Sequence, residues 1–70
     1  MLEQIAKEFD LALAGSEWYD RTEVVGKRLL IRCRTWKDVH KSDTLKRLLA
    51  EHKGTHFEFQ RNVRKQDIVR

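Results

Sequence analysis

Two arginines and a tryptophan alternate in the middle of the chain and form its clearest chemical pattern. Arg32, Arg34 and Trp36 are separated by one residue each, so on an extended strand their side chains lie on one face. Guanidinium groups follow the phosphates of a nucleic acid, and an indole ring stacks on its bases. The pattern predicts a surface that binds single-stranded nucleic acid. In the alternative interpretation, Trp36 caps the core and the arginines pair with Glu23 or Glu58 across the sheet.

Further basic residues lie near this group in the sequence. A second basic group lies in and just before the predicted second helix, where its positive charges could contact the phosphates of a duplex without reading the base sequence. In the alternative interpretation, this group is an ordinary solvated helix face. This group comprises Lys37, Lys41, Lys46, Arg47 and Lys53. A third basic cluster lies near the end of the sequence. The residues that we predict to contact nucleic acid are Arg32, Arg34, Trp36, Lys37, Arg61, Arg64 and Lys65.

The charge is unevenly distributed along the 70 residues, whose formal net charge is +4. Residues 1–23 contain two basic and six acidic side chains, a net charge of −4, and residues 24–70 contain thirteen basic and five acidic side chains, a net charge of +8. A positive field of this extent concentrates polyanions and favours DNA or RNA as the partner. Because the two segments have opposite charge, the chain also offers two differently charged surfaces to a protein partner. The alternative prediction is therefore a protein-interaction module, whose partner could be a second copy of the chain.

Metal binding and catalysis have less support in the sequence. His52 and His56 have His-x₃-His spacing, but Cys33 is the single cysteine and no paired-cysteine spacing accompanies the histidines, so we expect no metal and no cofactor. A chain of this size has little room for a catalytic pocket, and we predict no enzyme activity. The stretch Lys53-Gly54-Thr55-His56-Phe57 resembles the Gly-Ser-His stretch of the small HicA-type RNA-cleaving toxins, where a histidine follows a helix and a glycine turn. This resemblance implies a third alternative, a small ribonuclease acting through His56.

The composition predicts one small domain in the cytoplasm. Seventy residues fit a single domain, and one cysteine excludes an intramolecular disulfide and fits a reducing compartment. The first residues lack the basic start and apolar run of a secretory signal. No apolar run approaches the roughly 18 residues of a membrane span. We therefore expect residues 1–70 to form one domain that binds neither a membrane nor a small-molecule substrate.

The elements that position these residues follow from the spacing of apolar side chains. Helical spacing predicts a helix over about 2–14, with Gly15 in the left-handed conformation that ends it. Strand-forming residues on both sides of Gly26-Lys27 predict a hairpin of segments 17–25 and 28–36. A second helix is predicted over about 43–53, capped by Ser42 or Asp43. Its start could also lie earlier, at a capping box that begins with Thr35.

A last strand is predicted over about 55–64, which gives an α+β fold with the order α-β-β-α-β. Because the connection through a helix returns the chain parallel to the second strand, we predict that the third strand lies beside the first and antiparallel to it, in the order 2-1-3. The fold would be a three-stranded antiparallel sheet with two helices packed on one face. The predicted core includes Leu29, Ile31, Cys33, Phe57 and Phe59. The predicted open face carries Arg32, Arg34, Trp36, His56, Gln60 and Arg64.

Overall fold

The computed structural model describes residues 1–62, which form a three-stranded sheet and two α-helices. The predicted α+β class and the order α-β-β-α-β are confirmed. A short 3₁₀ turn, Val39–Lys41, precedes the second helix. Neither α-helix of this described part is long and apolar enough to cross a membrane. The elements are α1 (Leu2–Leu13), β1 (Tyr19–Val25), β2 (Arg28–Cys33), α2 (Asp43–Glu51) and β3 (His56–Arg61).

Local hydrogen bonds fix the start of α2 and the end of α1. The Leu45 amide donates to the Ser42 hydroxyl at 3.2 Å, a side-chain cap that starts α2 at residue 43. The Thr35 hydroxyl accepts from the Lys37 amide instead, so the earlier helix start was wrong. The predicted left-handed Gly15 was also wrong. The Ser16 amide donates to the Leu13 carbonyl at 2.9 Å, and this turn ends α1 without a left-handed residue.

The hairpin forms at the predicted place. Val25 pairs with Arg28 across a two-residue turn, and Gly26 has a φ of 61°. A positive φ at the first turn residue and not at Lys27 matches the signs of a type II′ turn, which suits the twist of a hairpin. Glycine adopts this conformation without the penalty that a Cβ brings.

The third strand lies beside β2 and not beside β1. The order in the sheet is β1-β2-β3, with β1 antiparallel and β3 parallel to β2. The predicted order 2-1-3 was therefore wrong, and the sheet is mixed rather than wholly antiparallel. The predicted direction of β3 was right, but its neighbour is the strand that the crossover leaves. This position sets Phe57 beside Leu29 in the parallel register.

The core lies between one face of the sheet and both helices, as predicted. Leu29, Ile31 and Cys33 are fully buried there. Phe57 also packs against this core, whereas Phe59, further along the edge strand, is 39% exposed, so its predicted burial was wrong. The buried cluster comprises Phe9, Leu13, Trp18, Tyr19, Ile31, Cys33, Leu45 and Leu48.

A buried polar cluster fixes α1 on β1. The Tyr19 hydroxyl donates to the Asp10 carboxylate and lies 2.6 Å from the Thr22 hydroxyl. The Thr22 amide donates to the same carboxylate at 3.2 Å. Burial, followed by the hydrogen bond to Asp10, raises the pKa of Tyr19 well above its usual value. Because buried polar groups are costly without partners, these bonds favour one placement of the helix on the sheet.

Candidate nucleic-acid interface

The face of the sheet opposite the helices carries acids on both sides of its central strand. Leu30 of β2 is paired with Glu23 of β1 and with Glu58 of β3. Arg28 and Arg32 flank Leu30 on the same face, because side chains alternate along a strand. The register therefore places two carboxylates close to the arginines of the central strand.

Arg32, the first residue of the predicted binding group, is paired with neighbouring polar side chains. Its Nε lies 3.3 Å from Glu23 Oε1, although the N–H does not point at that oxygen. Its Nη1 donates to the Asn62 side-chain oxygen at 3.1 Å, and the Asn62 amide in turn contacts Asp20. Only 27% of the Arg32 side chain is exposed. For this arginine the structure supports the alternative interpretation, cross-strand pairing.

The other arginines of this face are paired in the same way. Arg28 Nε lies 3.0 Å from Glu58 Oε1, and Arg21 contacts both Glu23 at 2.7 Å and Asp20 at 3.0 Å. We call the set of Asp20, Arg21, Glu23, Arg28, Arg32 and Glu58 the paired face. It contains three arginines and three carboxylates.

The pKa values of two acids reflect this pairing. The hydrogen bond from Arg21, followed by contacts with Arg32, lowers the pKa of Glu23 below its usual value. The hydrogen bond with His56, followed by contacts with Arg28, lowers the pKa of Glu58 in the same direction. Both carboxylates are thus held in the charged form, and the paired face has little net charge to offer a polyanion.

The strand that was predicted to align Arg34 and Trp36 with Arg32 ends before them. β2 ends at Cys33, and the Arg34 amide donates to the Trp18 carbonyl at 2.7 Å as the chain leaves the sheet. The predicted strand over residues 28–36 was therefore too long. Arg34 and Trp36 lie in the connection to α2, and the structure does not place them in one strand row with Arg32.

This connection is exposed and basic. Trp36 is 48% exposed, and Arg34 and Lys37 on either side of it are also exposed. Within residues 1–62, no carboxylate oxygen lies within 4.0 Å of the charged nitrogens of Arg34 or Lys37. Both cations are therefore available to an anionic ligand.

Arg61 joins these residues at the same end of the sheet. It is paired with Cys33, the neighbour of Arg34, and the following amide, Asn62 N, donates to the Cys33 carbonyl at 2.8 Å. Arg61 is exposed and has no ion pair in the part of the chain that the structure describes. We call Arg34, Trp36, Lys37 and Arg61 the basic rim. The predicted residues Arg64 and Lys65 lie outside the described residues.

A cavity of about 300 Å³ opens next to the basic rim. Its walls come from the loop that follows α1, with Ser16, Glu17 and Trp18, and from the connection that contains Lys37. The sequence analysis missed this site, because the two walls are about twenty residues apart in the sequence and no spacing pattern links them. The nearest available signal was Trp18, a large aromatic residue beside polar turn residues.

Two histidines, His52 and His56, lie beside acidic side chains. His56 lies at the start of β3, the end of the sheet opposite the basic rim, and its Nε2 lies 3.3 Å from Glu58 Oε2. It does not line the cavity. Side chains that could hold a metal ion meet where α1 contacts the end of α2, with the ligand atoms of Glu8, Glu51 and His52 within 4.8 Å of one another. The Glu8 carboxylate there is already 2.9 Å from His52 Nε2.

Comparisons with known proteins identify no relative. No protein-family model, characterised protein or solved structure matches this chain. Any inference about function depends on the charges and surfaces described above.

Proposed function

We propose that this chain is a non-catalytic nucleic-acid-binding module and that it contacts its ligand through the basic rim. One observation carries the proposal: a half-exposed indole, Trp36, lies between two exposed cations, Arg34 and Lys37, that have no carboxylate within 4.0 Å among residues 1–62. An aromatic ring that stacks on bases and cations that follow phosphates are the two parts of a single-strand binding site.

The distribution of ion pairs favours the rim over the open face of the sheet. A salt-bridged arginine must exchange its carboxylate for a phosphate, so its net gain from binding is small. An unpaired arginine or lysine instead releases counterions from the nucleic acid when it contacts a phosphate. The rim therefore provides binding free energy that the paired face does not.

The test is a salt titration of binding. Fluorescence anisotropy with a labelled single-stranded oligonucleotide would compare the wild type with the R34A/K37A variant. The control is K7A/K27A, which removes the same charge from α1 and from the hairpin turn, away from the rim. Each phosphate contact to a single strand adds about 0.7 to the slope of log affinity against log salt, so we expect R34A/K37A to lower that slope by about 1.4.

Two results would contradict the proposal. The first is the absence of binding by the wild type at about 50 mM salt, where counterion release favours it strongly. The second is an equal loss of affinity in R34A/K37A and K7A/K27A, which would show that only the total charge matters. The prediction of a cytoplasmic location stays part of this proposal and is supported by the buried, unbridged Cys33.

An exposed aromatic residue on an edge strand favours a second candidate function, self-association. Phe59 is 39% exposed on β3, which pairs only with β2 among the described residues. Edge strands that expose apolar side chains are templates for pairing with another chain. Sedimentation analysis of the wild type and of F59K would test this candidate. A dimer that F59K converts to monomer supports it, and a monomeric wild type contradicts it.

A further inference from the structure

The cavity beside the basic rim differs from the rim in its charge. Lys37 and Lys41 contribute two positive charges to the lining, and Glu17 and Asp38 contribute two negative charges. Lys41 Nζ also lies 3.7 Å from Asp38 Oδ1. A phosphate therefore gains little from entering this cavity, whereas an uncharged group with both donors and acceptors finds partners for each.

The cavity also has an apolar part. Trp18 lines it while being 95% buried in the core, and hydroxyl groups come from Ser16, Thr35 and Ser42. A cavity of about 300 Å³ is at the lower end of the size range of small-ligand sites. A flat aromatic ring with a polar edge, such as a nucleobase, combines the same two properties.

One wall of the cavity is preformed by a hydrogen-bonded turn. The Val39 amide donates to the Trp36 carbonyl at 3.3 Å, and the Lys41 amide donates to the Asp38 carbonyl at 3.1 Å. Asp38 itself has a φ of 66°, in the left-handed region. Local hydrogen bonds hold this uncommon conformation, so a ligand does not have to order the wall on binding.

We propose that this cavity receives one unstacked base of a single-stranded nucleic acid whose phosphates lie along the basic rim. Lys37 belongs to both surfaces, which places the cavity directly beside the proposed path of the backbone. The inference rests on the proposed function and narrows it. The ligand is a single strand with a base that leaves the stack, because bases paired in a duplex do not present their faces and edges to such a cavity.

The experiment compares three labelled probes with the wild-type protein. They are a single-stranded oligonucleotide of mixed sequence, the same oligonucleotide with abasic sites at alternate positions, and the corresponding duplex. All three carry phosphates: the two single strands share the electrostatic contribution, and the duplex has a higher charge density. Because stacking contributes about 1–3 kcal/mol per base, we expect the natural single strand to bind at least about fivefold more tightly than the abasic strand, and more tightly than the duplex.

A variant that fills the cavity tests whether the difference in affinity between natural and abasic strands comes from this cavity. Ser16→Leu adds apolar volume at the wall without changing charge, and Lys7→Leu, on the exposed surface of α1, is the control for an added leucine. We expect S16L to reduce the preference for natural over abasic strands by at least about threefold, with the remaining preference coming from stacking on Trp36, and to leave the salt slope unchanged. Circular dichroism would verify that S16L is folded. If S16L does not fold, Ser16→Val takes its place in the same comparison.

The outcomes separate this inference from the proposed function. Equal affinity for natural and abasic strands would overturn the base-binding cavity together with stacking on Trp36, while the salt-dependent phosphate contact with the rim stands. Tighter binding of the duplex would overturn the base-binding cavity. Failure of all three probes to bind would overturn the proposed function itself. An unchanged preference in folded S16L would place base recognition elsewhere and would also overturn the inference.

Discussion

The paired face and the basic rim both contain arginines, and these arginines differ in what surrounds them. On the paired face, three arginines lie beside three carboxylates, and Arg32 additionally bonds Asn62. At the rim, Arg34, Lys37 and Arg61 have no carboxylate within 4.0 Å in the described part of the chain. The number of basic residues on a surface is therefore a poor guide to its available positive charge. The acids placed beside them by strand register decide how much charge is available.

The largest effect is expected from the tryptophan that the rim has and the paired face lacks. Removing the indole in Trp36→Ala should weaken binding of a single strand about tenfold, because stacking contributes about 1–3 kcal/mol per base. Trp36→Phe, which keeps a ring, should retain most of the affinity. Anisotropy titrations would measure both variants. Since Trp36 is half exposed, the thermal midpoint should change little, and a large drop in W36A would instead indicate a role in the fold.

A smaller effect is expected from converting the paired face into an unpaired one. Glu23→Gln with Glu58→Gln frees Arg32 and Arg28, and we expect oligonucleotide affinity to increase about threefold at low salt. The matched control is Glu3→Gln with Glu51→Gln, which removes the same charge from exposed helix positions. Equal increases in the two double variants would mean that net charge, and not local pairing, distinguishes the two regions.

The smallest effect concerns the pH dependence of stability. Because the folded-state pKa values of Glu23 and Glu58 are lowered, their pairs stabilise the fold above the usual glutamate pKa, and this contribution is lost as the pH falls through the folded-state values. The double variant E23Q/E58Q should therefore lose less stability than the wild type between about pH 5 and pH 2.5. Thermal melts across this range would measure the difference. Parallel curves for the two proteins would show that the ion pairs do not contribute to stability.

Local patterns predicted most of the fold. Both helices, the hairpin at Gly26-Lys27 and the core face of β2 were evident from apolar spacing and turn residues, because these features depend on neighbours within a few positions. The position of β3 was not predictable in this way. Its choice between β1 and β2 depends on how a crossover through α2 packs, which is a property of the whole domain.

The candidate site was predictable only in part. Alternation correctly indicated Arg34 and Trp36 as exposed, but it extended the strand beyond Cys33 and grouped them with Arg32. The turn around Asp38 ends the regular structure, and its left-handed conformation leaves no periodic signal. Whether Arg32 pairs with an acid depends on register across the sheet, for which the sequence offered Glu23 and Glu58 equally.

The position of the chain's single cysteine provides a built-in reporter of unfolding. Cys33 is fully buried on the central strand beneath the helices, and burial, with a contribution from Asp20, raises the pKa of its thiol to about 11. A protonated, covered thiol reacts slowly with disulfide reagents, so modification requires the helices to move away from the sheet. The rate of thiol labelling therefore measures how often the domain opens, without any engineered probe, and a bound oligonucleotide that stabilises the folded state should slow it.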